Sequence, residues 1–161
     1  LLFQSKMRNF NKSLLSLLLI CITSCSQGKY HQETKVLNNY FLKVFNITIP
    51  EEEKYYILLP DMICKGCMSE RLGELSNSFF CQMDISVIHV SMAEYFKNLS
   101  SHDCFSVLTD STGILNKLNF PISNVTIVKT QNGSIIGIKN ILTSDTASLQ
   151  GIVQEMEKLS L

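Results

Sequence analysis

Cys64-Lys65-Gly66-Cys67 sets two thiols three residues apart with a lysine between them. A thiolate is both a nucleophile toward disulfides and a soft metal ligand, so this spacing allows two chemistries. One is reversible closure of a disulfide by the pair. The other is capture of Cu(I) between two sulfurs. The flanking residues say where the pair must sit. Tyr55-Tyr56-Ile57-Leu58-Leu59 has the composition of a buried strand, and Pro60-Asp61 stops it. Beyond the cysteines, Met68, Leu72, Leu75 and Phe79 recur at spacings of four, three and four, one face of a helix. Gly73 weakens that helix by roughly 1 kcal/mol without erasing the face. Cys64 and Cys67 therefore fall on its first turn, where free N–H groups and the positive end of the macrodipole favour thiolate. Lys65 acts in the same direction.

A strand, a CxxC and a helix in this order resemble the active site of the thioredoxin superfamily. The longer stretch Met62-Ile63-Cys64-Lys65-Gly66-Cys67 also fits the MxCxxC loop of heavy-metal-associated domains. Those domains hold Cu(I) between two thiolates. Both families share the local strand–loop–helix, so the choice passes to the rest of the chain.

The chain has 161 residues, 45% hydrophobic and 17% charged, with no biased tract, which fits one globular domain. Its start reads as a leader. Arg8 and Lys12 form a charged beginning, with Met7 as the expected true start, and Leu14 to Ile22 is apolar apart from Ser16. That core is too short to span a bilayer and suits a signal peptide. It ends in Ile22-Thr23-Ser24-Cys25, which resembles the bacterial lipobox and implies lipid attachment at Cys25. The expected division is 1–24 as lipoprotein signal peptide, 25–32 as tether and 33–161 as the folded domain. The first 24 residues carry Lys6, Arg8 and Lys12 and no acid, leaving eleven basic against fourteen acidic residues. A mildly acidic remainder without a basic stripe excludes nucleic acid as a partner. A lipidated protein works in the cell envelope, facing the periplasm or on the outer membrane, where disulfides persist. Cys81 and Cys104, beside Phe79-Phe80 and Phe105, read either as two buried thiols at strand edges or as a disulfide.

The remaining pattern is an alternation of elements. Val36, Leu37, Tyr40, Phe41, Val44 and Phe45 mark an amphipathic helix over about Glu33 to Phe45. Ile47-Thr48-Ile49-Pro50 reads as a short edge strand and Glu51 to Glu53 as a solvated turn. Met83 to Val90 is apolar on both faces, the mark of a central parallel strand, and His89 inside it is read as packed, outside the site. Ser91-Met92-Ala93-Glu94 forms a capping box that opens a short helix. Cys104 to Leu108 is a further strand, ended by Asp110-Ser111-Thr112-Gly113, with a brief helical pattern at Ile114, Leu115 and Leu118. Val125 to Thr130 and Ser134 to Ile138 flank Asn132-Gly133, a hairpin signal. Leu149, Ile152, Val153, Met156 and Leu159 make a C-terminal amphipathic helix with Ser144 or Asp145 as its N-cap.

This order is α/β: a three-layer sandwich with a mixed central sheet flanked by helices, preceded by the N-terminal amphipathic helix. Tyr56–Leu59, Ile85–Val90 and Val125–Val128 are expected as neighbouring inner strands. In a heavy-metal-associated domain the first helix is followed directly by a hairpin; here a capped helix intervenes, which favours the thioredoxin order. From about Lys54 to Leu161 the chain resembles the peroxiredoxin and TlpA-type branch, with a strand ending in Asp, a Gly turn, a short helix and an edge hairpin with Gly. Two features depart from that family. Ile63 stands where Trp is usual. Asn124 stands at the place of the usual cis-proline, with Pro121 three residues earlier, and a cis bond before a non-proline costs ~3 kcal/mol.

The resemblance implies thiol–disulfide exchange with Cys64 attacking a partner disulfide and Cys67 resolving the mixed disulfide. Its partners would be protein thiols or disulfides, with a membrane electron donor if it is a reductase. No cofactor and no metal ligand set is invoked. A copper-binding lipoprotein using the same two cysteines, and a non-catalytic binding module of the same fold, remain as other readings.

Overall fold

Helix α1 (His31–Phe45) carries its apolar residues on one side, and Leu37, Tyr40 and Phe41 are buried. Each such side chain contributes roughly 1.5–3 kcal/mol by leaving water. The helix starts two residues before the expected Glu33, because the Tyr30 carbonyl already accepts the Thr34 N–H and Thr34 Oγ1, both at 2.8 Å. It ends at Asn46, whose φ of 56° is the left-handed conformation that asparagine tolerates. The computed structural model describes residues 28–61, 81, 83–90, 105–122, 125–141, 154–156 and 158–159.

Five strands follow: β1 (Lys54–Leu59), β2 (Ile85–Val90), β3 (Ser106–Asp110), β4 (Val125–Gln131) and β5 (Ser134–Ile141). They form one mixed sheet in the order β3-β2-β1-β4-β5. β1 is parallel to β2, and β2 to β3, while β4 is antiparallel to β1 and to β5. The expected neighbours therefore lie side by side, with β1 between β2 and β4. This is the thioredoxin-like α/β arrangement. β2 follows the stretch that carries the two cysteines and runs parallel between β1 and β3, so no direct hairpin forms there.

The strands alternate between two cores, as a period of two requires. On one face Tyr56, Leu58, Ile88, Val90 and Val128 meet α1, with the Phe41 and Tyr56 rings 4.7 Å apart between centroids. On the other face Tyr55, Ile57, Ile85, Val87, Phe105 and Ile127 pack with Met156, and Leu159 lies against them. Residues 154–156 and 158–159 are helical, in agreement with the inward positions expected of Met156 and Leu159.

The hairpin between β4 and β5 turns on Asn132 (φ 50°) and Gly133 (φ 65°), both left-handed, as an Asn-Gly turn demands. Its two N–H groups donate to the carbonyls of Glu51 (2.8 Å) and Pro50 (3.1 Å). Ile47–Pro50 is accordingly not the edge strand expected from its composition. Pro50 has no N–H for a ladder, the Ile49 N–H is taken by Asn38 Oδ1 at 3.1 Å, and Ile49 is a core residue under α1. β3 begins at Ser106, two residues later than expected, where Ser106 comes opposite Ser86. The helical pattern after it is a single 3-10 turn, Leu115–Lys117. The expected helices over 68–79, 91–99 and the start of the last helix lie outside the described residues.

Candidate functional site

Parallel β1, β2 and β3 end at one edge of the sheet, at Leu59, Val90 and Asp110. In open α/β sheets this carboxyl edge is where ligands bind. The chain leaves β1 through Leu59-Pro60-Asp61, and Cys64 follows Leu59 by five residues. Cys64, Cys67 and the lipidation candidate Cys25 lie outside the described residues, as does Asn124. What the structure gives is the frame from which the dithiol stretch departs.

That frame is organised by Asp110, which is fully buried. Its Oδ1 accepts the N–H groups of Thr112 (2.8 Å) and Gly113 (3.0 Å) and the Thr112 hydroxyl (2.5 Å). Its Oδ2 accepts the Leu115 N–H at 2.8 Å and the Tyr40 hydroxyl at 3.2 Å. Burial alone would raise the Asp110 pKa, but these donors outweigh it and hold the carboxyl below its ordinary value. Tyr40 is pushed the other way, by burial first and then by the neighbouring carboxylate, so it stays a neutral donor.

The carboxylate thereby folds the 112–117 turn, with Gly113 at φ 66° and Leu115 inserted into the core. Asn116 is carried by that turn, and its Oδ1 accepts the Asp61 N–H at 3.0 Å. A chain of contacts thus runs from α1 through Tyr40, Asp110 and Asn116 to Asp61, three residues before Cys64. The sequence marked Asp110 only as a strand end. Four of its five donors lie in the following turn, and three of these are backbone amides, which no side-chain pattern records.

His89 is buried at the same end, opposite Leu59 in the register, with Nε2 and the Thr109 hydroxyl 3.0 Å apart. It is packed and hydrogen-bonded, as expected. Pro121 is exposed, and no peptide bond among the described residues is cis. It forms part of a cleft of about 560 Å³ between α1 and the entry to β4, lined by Gln32, Glu33, Val36, Asn119, Phe120 and Pro121. Among the described residues no three His, Cys, Asp or Glu side chains converge as a metal site. Glu53 instead pairs with Lys129, 3.0 Å away.

Cys81 is not the buried thiol that is one reading of its aromatic neighbours; the other reading, a disulfide, fits it. It is exposed and disulfide-bonded.

No protein-family model matches the chain, and no curated protein sequence matches it. Six solved chains are similar in shape. One is a pneumococcal exposed lipoprotein thioredoxin, Etrx1, from Streptococcus pneumoniae strain TIGR4, at TM-score 0.43 and 14% identity, over 68% of this chain and 87% of that one. A thioredoxin-like protein in the oxidized form gives 0.45 and 13% identity, over 70% of this chain and 78% of that one. A putative thioredoxin from Neisseria meningitidis gives 0.43 and 13%, over 69% and 76%. At these values the likenesses carry no functional inference, and the fold stands on the strand order and register of this chain.

Proposed function

We propose that the protein is a lipid-anchored thiol–disulfide oxidoreductase of the bacterial cell envelope, of the TlpA/peroxiredoxin-type branch, acting through Cys64 and Cys67. One observation supports it above the others. In the sequence the CxxC lies between β1 and β2, and β1 is the middle strand of a sheet in which β2 runs parallel to it. A metal-binding domain with the MxCxxC loop would have turned directly from its first helix into a hairpin. The envelope location and the anchor rest on Ile22-Thr23-Ser24-Cys25 after a short apolar core.

In the forward half-reaction the Cys64 thiolate attacks one sulfur of a substrate disulfide. A mixed disulfide forms, and the other substrate sulfur leaves as a thiol. The Cys67 thiolate then attacks Cys64 Sγ, releasing the second substrate thiol and closing Cys64–Cys67. Two electrons have passed to the substrate, and a dithiol donor at the membrane would restore the pair. The reverse sequence oxidises a substrate dithiol. Lys65 and the helix N-terminus expected at the CxxC would supply the thiolate stabilisation on which either direction depends.

The test is trapping. Cys67→Ser should accumulate a mixed disulfide through Cys64, visible as a reducible adduct on intact mass, while Cys64→Ser should accumulate little. If both thiols react like free cysteine, with a pKa near ~8.5, and no adduct appears, the oxidoreductase reading fails. Tight Cu(I) uptake lost in either single variant would then assign the pair to copper, and no uptake would leave a binding module.

A further inference from the structure

Cys81 is bonded through sulfur, and every other cysteine of the chain lies outside the described residues, so its partner does too. The strand register decides among them. β2 and β3 are parallel, Ser86 stands opposite Ser106, and their hydroxyl oxygens are 2.6 Å apart. Cys81 precedes Ser86 by five residues and Cys104 precedes Ser106 by two. Both cysteines therefore lead into adjacent strands from the same, amino edge of the sheet. Met83, two residues after Cys81, and Phe105, next to Cys104, pack into the same core cluster. The three-residue difference in approach spans at most about 11 Å of chain, and parallel neighbours lie about 4.8 Å apart. The approach of Cys81 to β2 must fold back by most of that offset to bring the two Cα atoms into the roughly 4.4–6.8 Å range of a disulfide.

The chain leaves β1 toward Cys64 and Cys67 at Leu59, four strand steps or about 13 Å beyond the Tyr55–Ile85 level. Asp61 is tied down at that carboxyl edge by Asn116.

We propose that Cys81 is bonded to Cys104, a covalent staple joining the entries of β2 and β3 and leaving Cys64 and Cys67 to each other. Its closure takes two protons and two electrons from the two thiols. A small disulfide oxidant such as oxidised glutathione accepts them and departs as two thiols. The staple ties edge strand β3, whose far end carries Asp110, to inner strand β2. It goes beyond the exchange chemistry proposed for Cys64 and Cys67.

The sequence makes the bond simple to read. Trypsin places Cys64 on peptide 55–65, Cys67 on 66–71, Cys81 on 72–97 and Cys104 on 98–117. The full chain is oxidised with oxidised glutathione, blocked with N-ethylmaleimide and digested without reduction. Peptide 72–97 should be recovered joined to 98–117. Its recovery joined to 55–65, to 66–71 or to a leader peptide, or with maleimide on Cys81, overturns the proposal. In Cys104→Ser the Cys81 thiol should take up one equivalent of maleimide, and in Cys64→Ser or Cys67→Ser it should take up none. The mapping reads the Cys81 bond whether or not Cys64 and Cys67 exchange disulfides, so the two readings fail separately.

Discussion

Asp110 and Lys129 are both buried, on opposite faces and near opposite ends of the same sheet, and the fold keeps each charged by a different means. Asp110 is held by a turn that its own strand runs into, so three of its five donors are backbone N–H groups fixed in place. Lys129 reaches outward instead. Its ammonium pairs at 3.0 Å with Glu53, whose side chain is 45% exposed, and lies 5.4 Å from the centre of the Tyr55 ring. Burial would lower the Lys129 pKa, but Glu53 and Tyr55 overcome this and raise it. Preorganised dipoles make the first arrangement stiff; the second depends on a side chain that water competes for. The difference teaches where the molecule tolerates change. The stiff end is the one from which the dithiol stretch departs.

The largest effect should come from Asp110→Asn. An amide nitrogen in place of Oδ2 faces the Leu115 N–H, a donor against a donor, and a loss of roughly 2–3 kcal/mol is expected at pH 7. The sign with pH follows from the lowered pKa. The stabilisation by Asp110 is complete above its unfolded pKa, near ~3.9, and is lost as pH falls through the lower folded value. Urea unfolding at pH 7 and below pH 4 should therefore show the gap between wild type and variant narrowing in acid. A gap that stays constant would mean that Asp110 acts by shape and not by charge.

A smaller effect is expected at the other end. Glu53→Gln removes the exposed partner of a buried ammonium and should cost about 1–2 kcal/mol. Lys129→Met replaces the ion with an apolar chain of similar length and should be close to neutral. Lys129, with its raised pKa, contributes fully at neutral pH and loses that contribution only as pH rises through the folded value, above the ordinary lysine range. Denaturant midpoints for the two variants decide the matter. Equal large losses would make this end as stiff as the first and erase the contrast.

The smallest loss should be at Gly137, paired with Lys129 across β4–β5, with only the near-neutral Lys129→Met below it. A Cβ there would come within 2.6 Å of Leu159 Cδ2, the movable tip of a side chain. Gly137→Ala should displace Leu159 at a cost of about 1 kcal/mol. Thermal unfolding should show that loss in wild type and Asp110→Asn backgrounds alike, because the sites share no partner. Strong non-additivity would tie the two ends together.

The contrast also marks what could be read before folding. The apolar runs of β1 and β2 and the Asn132-Gly133 turn declare themselves through local composition, and they fell where expected. Lys129 did not, since nothing within the strand Val125-Thr126-Ile127-Val128-Lys129-Thr130 marks its lysine as buried. Its burial depends on Tyr55 and Glu53, more than seventy residues away along the chain. Ile47–Pro50 failed for a related reason: its alternation is that of a strand, yet its polar groups bond to Asn38 and the hairpin turn. At the candidate site, the cysteines and their spacing were legible and the brace from Asp110 to Asp61 was not. A buried carboxylate capping its own turn looks in sequence like any Asp before a glycine.

The position of β1 also has a kinetic consequence. It is the middle strand, yet its partners are distant in sequence: Tyr55 pairs with Ile85, and Lys54 with Thr130. A segment made early must wait, with Tyr55, Tyr56 and Ile57 uncovered, until most of the chain is available. Loop closure over such spans comes before its contacts repay it, which places the sheet among the slower-folding topologies. During that interval the exposed run 55–59 is the stretch most prone to pair with another chain.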